Sequence, residues 1–448
     1  MKYFVLILAS VFMAMPARTG AQSVIPDNPD SLFDQPPVEQ PSAPAVPAVA
    51  PAALAAYGIA RGVEVGGYLY SDYTGFLKWT RAYPDPADPA AGVSSLFVPD
   101  LEADLYFDAR PFDTVRVFTK LKAVYPFGGI SVFEAYADLN SNDRVYLRAG
   151  QQVVNWGVGY FFSPADIISI TPIDPLQPGR ERQGPLALRM NAPFADVDNL
   201  YLYVVARQEL VQSGDFRLED LAVAPKVEVL LGAWEIGIGA YYQRDQRPKV
   251  MMTATGSIVG QIGLFAEGVL SRGRDRVIVQ EVPGAPGTFT TSTDTTTPTF
   301  SGTVGARYLQ ADWHISAIVQ YFYNGQGYRD AAGENAANAA YALQIQGTPP
   351  GGPRLLPTDV FQPGTHYLAG LVSWTDILGS KVDLGLFSEA NLSDGSGVVS
   401  PSVSFTPFRS FTAVFAPYIS YGPDNTEFVT QFGRFSLSLK LTIGTVSF

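Results

Sequence analysis

The sequence predicts an all-β protein, a transmembrane antiparallel up-and-down β-barrel of about 16 to 18 strands, with eighteen as the preferred count. The chain of 448 residues is 47% hydrophobic and 12% aromatic but only 16% charged, so it can bury a large core. After the N-terminal segment, no stretch reaches the roughly 18 apolar residues that a membrane helix needs. Residues 62–448 are instead a succession of alternating segments of about ten residues, the length at which a tilted strand crosses a membrane.

Residues 1–21 have the pattern of a cleaved export signal. Lys2 supplies a positive charge, and residues 3–15 form an apolar run that is too short to cross a bilayer. Small residues follow, and we expect cleavage after Ala21. Pro16 interrupts the apolar run and argues against the alternative, an uncleaved membrane helix.

Residues 22–61 are rich in Pro and Ala and show neither strand nor helix periodicity. Such a segment forms an extended tether without a core of its own, so we expect it to be largely disordered and to lie in the periplasm. It serves either as an arm that reaches a periplasmic partner or as a spacer. It is too short to be the folded plug domain of an energy-coupled receptor, which disfavours active transport.

Eighteen segments show the alternation of strands and are bounded by turn residues. They are residues 63–76, 101–110, 114–124, 132–139, 144–153, 186–193, 200–207, 221–231, 234–243, 250–257, 259–271, 300–311, 312–324, 366–375, 381–392, 397–407, 411–421 and 432–448. The long connections are all odd-numbered, as expected when long loops lie outside the cell and short turns inside. They are residues 77–100, 154–185, 208–220, 272–299 and 325–365.

The segment 312–324 shows two faces. One predicted face is apolar with aromatic ends, as for contact with lipid, and consists of Trp313, Ile315, Ala317, Val319, Tyr321 and Tyr323. The other is polar and includes Asp312, His314, Ser316 and Gln320. Trp234, Trp313 and Trp374 all fall at predicted periplasmic strand ends, which indicates an aromatic belt. The alternative, a soluble β-sandwich, has shorter strands and needs no such belt.

The last strand alternates apolar and polar residues and ends at Phe448. A terminal aromatic residue on an amphipathic final strand resembles the sorting signal of bacterial outer-membrane barrels. The resemblance implies the outer membrane of a diderm bacterium, with its lipids and the barrel assembly machinery as partners. Phe448 is out of register with the apolar face that ends at Ile443, and a bulge at Gly444 would restore the register.

Four neighbouring predicted strands carry charges on one face, with opposite signs on adjacent strands. These residues are Glu102, Asp104 and Asp108; Arg116, Lys120 and Lys122; Glu134 and Asp138; and Arg144 and Arg148. A basic side chain at the lipid midplane costs about 2 to 4 kcal/mol, so we expect all of them to line the lumen. They form either a field that orients polar solutes or an ion-pair lattice that stiffens the wall.

Residues 154–185, the third extracellular connection, are too apolar to lie free in water. We therefore expect this connection to fold into the barrel rather than pack on the rim. In this it resembles the third extracellular loop of the general porins, which narrows the pore. The resemblance implies a constriction set by Asp166, Asp174, Arg180, Glu181 and Arg182, opposite a basic wall of Arg116, Lys120 and Arg148. The region also resembles outer-membrane barrel families without a settled activity, through Gly150-Gln151-Gln152, Trp156-Gly157, Asp166 and Pro172-Ile173-Asp174-Pro175.

Composition argues against several functions. Cysteine is absent and only His314 and His366 are present, at opposite predicted strand ends, so we expect no catalytic site, no metal site and no cofactor. The net charge of -12 argues against a nucleic-acid partner.

The leading hypothesis is a porin-like channel for passive diffusion of small polar solutes. One alternative is a conduit for hydrophobic molecules or lipids, suggested by the aromatic residues 160–162. Another is a surface adhesin or receptor that acts through the loops 272–299 and 325–365.

Overall fold

A computed structural model describes residues 63–79, 92–112, 114–126, 128–141, 144–194, 198–206, 220–244, 246–347, 354–408 and 410–447. The predicted export signal, the Pro- and Ala-rich segment and Phe448 lie outside these residues. The described chain is almost entirely antiparallel β-structure.

The described strands are β1 (Val63–Trp79), β2 (Val93–Phe112), β3 (Val115–Tyr125), β4 (Ile130–Ser141), β5 (Val145–Gln151), β6 (Leu186–Phe194), β7 (Asp198–Ala206), β8 (Leu221–Leu231), β9 (Trp234–Tyr241), β10 (Lys249–Val259), β11 (Ile262–Arg272), β12 (Ile278–Glu281), β13 (Phe289–Ser292), β14 (Pro298–Gln310), β15 (Ile315–Tyr323), β16 (His366–Trp374), β17 (Val382–Asn391), β18 (Ser396–Phe408), β19 (Phe411–Tyr421) and β20 (Phe435–Ser447). The helices are α1 (Ala331–Ile345), α2 (Pro357–Val360) and α3 (Glu427–Phe432), with single 3-10 turns at Ala311–Trp313 and Ile377–Gly379.

Eighteen of these strands form one closed barrel, which confirms the predicted fold class and strand count. Each strand pairs antiparallel with its neighbours in sequence, and β1 closes the ring by pairing with both β2 and β20. The two remaining strands, β12 and β13, form a separate hairpin in the connection that follows β11. Closure satisfies every strand edge, which a sheet in lipid requires.

The outer surface of the barrel is apolar around most of its circumference. Exposed apolar side chains include Leu69, Val117, Leu188, Val227, Val250, Val304, Val319, Val372, Leu386, Phe415 and Leu439. Such a surface on an even-stranded, closed antiparallel barrel is that of a bacterial outer-membrane protein. No helix in the described residues is long and apolar enough to cross a membrane. The protein is an outer-membrane β-barrel.

The two rims differ as predicted, with the long connections at one end of the barrel and the short turns at the other. Connections at the short-turn end have at most seven residues, whereas residues 152–185, 273–297 and 324–365 lie at the long-loop end. Trp234 begins β9 and Trp374 ends β16, both at the short-turn end, where an aromatic belt is expected.

The predicted bulge at Gly444 is present. Leu69 pairs with Val446 and Ser71 pairs with Ile443, so β20 has one residue more than β1 across this step. Gly444 has a φ of 74°, a left-handed conformation that glycine adopts without a Cβ clash. The bulge shifts the register of the last residues of β20.

Several expected boundaries are wrong. β1 runs to Trp79 and β2 begins at Val93, so the first connection is shorter than the predicted 77–100. The starts of β15 and β5 are also misplaced. Residues 311–313 form a 3-10 turn and His314 has a φ of 52°, so Asp312 and His314 belong to a turn and β15 begins only at Ile315. Arg144 precedes β5 in an exposed turn and does not line the lumen wall. In both places a polar residue in the turn next to a strand happens to fit the apolar–polar alternation of that strand, although its backbone lies outside the strand.

Candidate functional site in the barrel interior

Residues 152–185, here called the crossing segment, join β5 to β6 and contact inward-facing side chains around the barrel. The carboxylate of Glu267 on β11 accepts backbone amides of Val158, Gly159 and Ala165. A Cβ on Gly157 would lie 1.8 Å from Ser163 Oγ and 2.7 Å from Glu267 Oε2, so glycine at this position leaves room for the serine and the carboxylate. This contact gives the Trp-Gly pair a physical reason.

Gln320 on β15 holds the same part of the crossing segment. Its Oε1 accepts the amides of Tyr160 at 3.1 Å and Phe161 at 2.7 Å, and its Nε2 donates to the carbonyl of Phe162 at 2.6 Å. A side-chain amide offers both a donor and an acceptor, so one residue satisfies three backbone groups. Gln320 is fully buried.

The crossing segment is also tied to the opposite wall. Lys226 on β8 donates to the carbonyl of Trp156 at 3.0 Å, and Glu134 on β4 accepts the amide of Val153 at 3.2 Å. β4 lies across the ring from β15 and β8 lies between them, so the segment is held from several sides.

Aromatic side chains of the crossing segment form an apolar core within the lumen. Phe161 packs against Phe387 of β17, with ring centroids 5.9 Å apart, and Phe162 stacks on Phe322 of β15 at 5.1 Å. Phe161 is fully buried. The inner face of β15 is therefore partly apolar, although the sequence predicts a polar one.

The charges on β2 to β5 form an ion-pair lattice. Lys122 lies 2.6 Å from Glu102, and Arg116 lies 2.8 Å from Asp108. The remaining wall pairs are Lys120 with Asp104 at 2.9 Å, Lys122 with Asp104 at 3.7 Å, Arg116 with Asp138 at 3.9 Å and Arg148 with Asp138 at 2.6 Å. Neighbouring strands thus neutralise one another, which favours the stiffening lattice over an uncompensated transverse field.

Glu181 connects this lattice to the crossing segment. Its carboxylate lies 2.8 Å from Lys120 and 3.2 Å from Lys122. Its side chain keeps 41% of its surface exposed, against 11% for Lys120 and 3% for Lys122. Glu181 is therefore the most exposed charge of this group of three.

The other residues predicted for the constriction have different surroundings. Arg182 pairs with Asp166 at 2.7 Å, and the Asp166 side chain is only 3% exposed. Asp174 accepts the amide of Leu176 at 3.1 Å, and Arg180 is half-buried. The structure thus brings Glu181 and the basic wall together, whereas Asp166 and Arg182 pair with each other within the segment.

Filling of the lumen is uneven. Phe161, Gln320 and Val398 have no exposed surface on the side formed by β15 to β18. On the charged side, the Arg116 side chain is 24% exposed and that of Asp138 is 26% exposed. Polar surface therefore stays exposed along β3 and β4.

Four interior residues that fix the crossing segment were not singled out as site residues from the sequence: Glu267, Gln320, Lys226 and Phe387. A signal was available for two of them, because Glu267 on β11 and Lys226 on β8, the latter paired with Glu228, are charges in largely apolar strands, and a charge facing lipid is costly. Nothing in the strand pattern pairs these four residues with the crossing segment, since their contacts join residues 70 to 226 positions apart.

The fold resembles solved outer-membrane proteins. OccK11 (OpdR) of Pseudomonas aeruginosa is 12% identical with a TM-score of 0.44, covering 85% of this chain and 95% of that chain. OprD of the same organism is 7% identical with a TM-score of 0.47 over 86% and 95%, and the outer membrane channel DcaP of Acinetobacter baumannii is 11% identical with 0.42 over 86% and 98%. No protein-family model and no curated protein matches the sequence. These identities are too low to transfer a function.

Proposed function

We propose that the protein is a porin-like channel for passive diffusion of small polar solutes across the outer membrane, narrowed by the crossing segment. The observation that carries the proposal is the division of the lumen. One side is filled by the aromatic core around Phe161, while the side that carries Arg116, Asp138 and Glu181 keeps solvent-exposed polar surface. A passage bounded by charged groups favours hydrated solutes.

In this proposal the predicted constriction residues divide into two groups. Glu181 and Arg180 lie at the passage and set its charge, while the pair of Asp166 and Arg182 fixes the shape of the crossing segment. Asp174 holds a turn through Leu176. The lattice on β2 to β5 supplies a rigid wall on which Glu181 is held.

The alternatives have less support. Phe161 and Phe162, which suggested a hydrophobic conduit, are 0% and 2% exposed and are packed into the wall instead of lining an open path. The loops that suggested a receptor form a folded cap of the β12–β13 hairpin and α1. His314 and His366 lie at opposite ends of the paired strands β15 and β16, too far apart to act together on a substrate.

Assembly partners follow from the outer surface. The apolar exterior contacts outer-membrane lipids, and the final strand β20 with Phe448 is the segment that the barrel assembly machinery would bind. Deletion of Phe448 in living cells is expected to lower the amount of folded barrel in outer-membrane fractions, with the sequence otherwise unchanged. Undiminished assembly would exclude this role of Phe448.

Single-channel conductance of the refolded full chain in a planar bilayer tests the channel. Wild type is expected to give stable ohmic steps, which enlarge when residues 158–184 are replaced by a short Gly-Ser turn. Shortening the exposed hairpin tip at residues 283–287 is the matched control and should leave the steps unchanged. Silence from correctly folded wild-type protein would overturn the proposal and favour a plugged receptor.

A further inference from the structure

Three connections meet at the long-loop end of the barrel, and each contributes one acidic residue to a single point. Glu334 lies on α1, Asp394 lies in the turn between β17 and β18, and Glu427 begins α3. One carboxylate oxygen of each residue lies within 4.8 Å of the others. These residues lie outside the crossing segment and the charged wall.

The three carboxylates are held in place by surrounding groups. Asn391 Nδ2 donates to both Glu334 Oε2 and Glu427 Oε2 at 2.9 Å, and the Tyr367 hydroxyl donates to Glu427 Oε2 at 2.9 Å. Asp394 Oδ2 accepts the backbone amide of Glu427 at 2.7 Å. The acidic groups are thus oriented by their surroundings before any ligand binds, which lowers the cost of binding.

Unsatisfied oxygens point to a missing ligand. Glu334 is 2% exposed, and its Oε1 is buried without a hydrogen-bond partner. Glu389 on β17 is 4% exposed and makes no hydrogen bond or ion pair within the described part of the chain. The charge that acts on it most strongly is that of Glu427. A buried acceptor without a partner is costly, so Glu334 Oε1, with the unpaired carboxylate of Glu389 beside the cluster, requires an explanation.

Positive charge near the cluster is insufficient to neutralise it. Arg276 acts on Glu334 and Glu427, but its guanidinium donates to the carbonyls of residues 361–363 at 2.6 to 3.2 Å. Among the described residues, no basic side chain lies within ion-pair distance of Glu334, Asp394 or Glu427.

We propose that Glu334, Asp394 and Glu427 bind one divalent cation of the Ca²⁺ class, which ties α1, the β17–β18 turn and α3 together. All the ligand atoms are oxygens, as hard cations prefer. Ca²⁺ binds oxygen at about 2.3 to 2.6 Å, so two opposing ligands lie about 5 Å apart at most, in agreement with the observed spacing. Mg²⁺ demands shorter bonds in a stricter octahedron and usually keeps several waters, so three fixed carboxylates suit it less well. The sequence predicts no metal site, because it has no Cys and only two His, whereas this site has carboxylate ligands alone.

The experiment is calorimetric titration of the folded, chelator-treated full chain in detergent with CaCl₂ or MgCl₂. Wild type should bind about one Ca²⁺ per chain and bind Mg²⁺ more weakly. Glu334→Gln and Asp394→Asn should each weaken Ca²⁺ binding by at least about tenfold. Asp312→Asn, an exposed acidic residue at the short-turn end, is the control and should bind as wild type does. Absence of saturable binding, or equal binding in all variants, would overturn the proposal.

Wild-type protein alone provides a second test should the variants fail to fold. Ca²⁺ is expected to slow tryptic cleavage after Arg329, which begins the connection containing α1, because the ion fixes that connection to the barrel. Cleavage after Arg244, in a different connection at the same end, should be unaffected. Equal cleavage at Arg329 with Ca²⁺ and with chelator would contradict the inference.

Discussion

Glu267 on β11 accepts the backbone amide of Gly159 at 3.0 Å, a contact between residues 108 positions apart. The same carboxylate accepts the amides of Val158 and Ala165, so a single side chain organises one turn of the crossing segment. Hydrogen bonds to a charged group contribute about 1.5 to 3 kcal/mol each. A substitution of Glu267 should therefore release the crossing segment without changing its length.

Glu267→Ala is expected to release the crossing segment, giving larger and noisier single-channel steps. Losing the shared acceptor should destabilise the local fold of the segment by about 3 kcal/mol, because three buried amides lose their partner. Hydrogen exchange of residues 156–166 measures the release directly. Glu281→Ala, an exposed acidic residue on β12, is the control. Unaltered exchange at residues 156–166 would show that Glu267 does not hold the segment.

Glu181→Gln tests which group sets the charge of the passage. The substitution leaves Lys120 and Lys122 with one acidic partner fewer, so the passage should become more favourable to anions. A unit charge acting through water at about 8 Å is worth about 0.5 kcal/mol, which corresponds to roughly a twofold change in the anion-to-cation permeability ratio. The reversal potential in a salt gradient measures it.

Asp312→Asn is the control for this charge change, since Asp312 lies exposed in a turn at the short-turn end. It should leave the reversal potential within error of wild type. An equal shift in both variants would indicate a general surface-charge effect, and no shift in Glu181→Gln would place Glu181 away from the path of the ions.

Arg182→Met leaves Asp166 as an unpaired charge, and the Asp166 side chain is 3% exposed. Removing one partner of a buried pair typically costs about 3 to 5 kcal/mol. We expect faster proteolysis within residues 155–182, while the barrel remains folded. Arg329→Met, which removes an exposed arginine, is the control. Wild-type resistance in Arg182→Met would mean that the ion pair contributes little to the shape of the segment.

The cap formed by α1 should lose stability as pH rises in the presence of a chelator. Glu334 and Glu427 have pKa values raised above the usual 4.5, so the folded state binds more protons than the unfolded state. Stability is then greatest below about pH 4.5 and falls as pH rises toward 9. Asp394 adds repulsion on ionisation, and Arg276 reduces it.

Hydrogen exchange of α1, corrected for the intrinsic rate at each pH, measures this dependence. Glu334→Gln should flatten it, because the neutral amide cannot ionise. A dependence that is equally steep in Glu334→Gln would assign it to other groups.

Gly444→Ala tests the bulge in β20. No atom lies within 4 Å of a Cβ placed on Gly444, so the substitution adds only the strain of a left-handed conformation, about 1 to 2 kcal/mol. Gly75→Ala in β1, where the nearest atom is 3.9 Å from the added Cβ and no positive φ is required, is the matched control. The urea midpoint of the folded barrel should fall for Gly444→Ala only. An equal fall in both would point to a general loss of glycine flexibility.

The sequence by itself determined the strands, their number and the bulge at Gly444. Each depends on local physics. A strand in lipid must alternate apolar and polar side chains and must be about ten residues long, and an antiparallel barrel closes with an even number of strands. The lumen-facing orientation of the charges on β2 to β5 was predictable for the same reason, since Glu102 and Lys122 could not face lipid. Arg144 was misplaced because alternation does not reveal where a strand begins.

Only the tertiary structure decided what fills the barrel. The pairing of Glu267 with Gly159, the packing of Phe161 on Phe387 and the approach of Glu334 to Glu427 join residues 93 to 226 positions apart. No periodicity encodes such distances. They are fixed by how a closed wall positions its inward side chains and by how one long connection fits the space that the wall encloses.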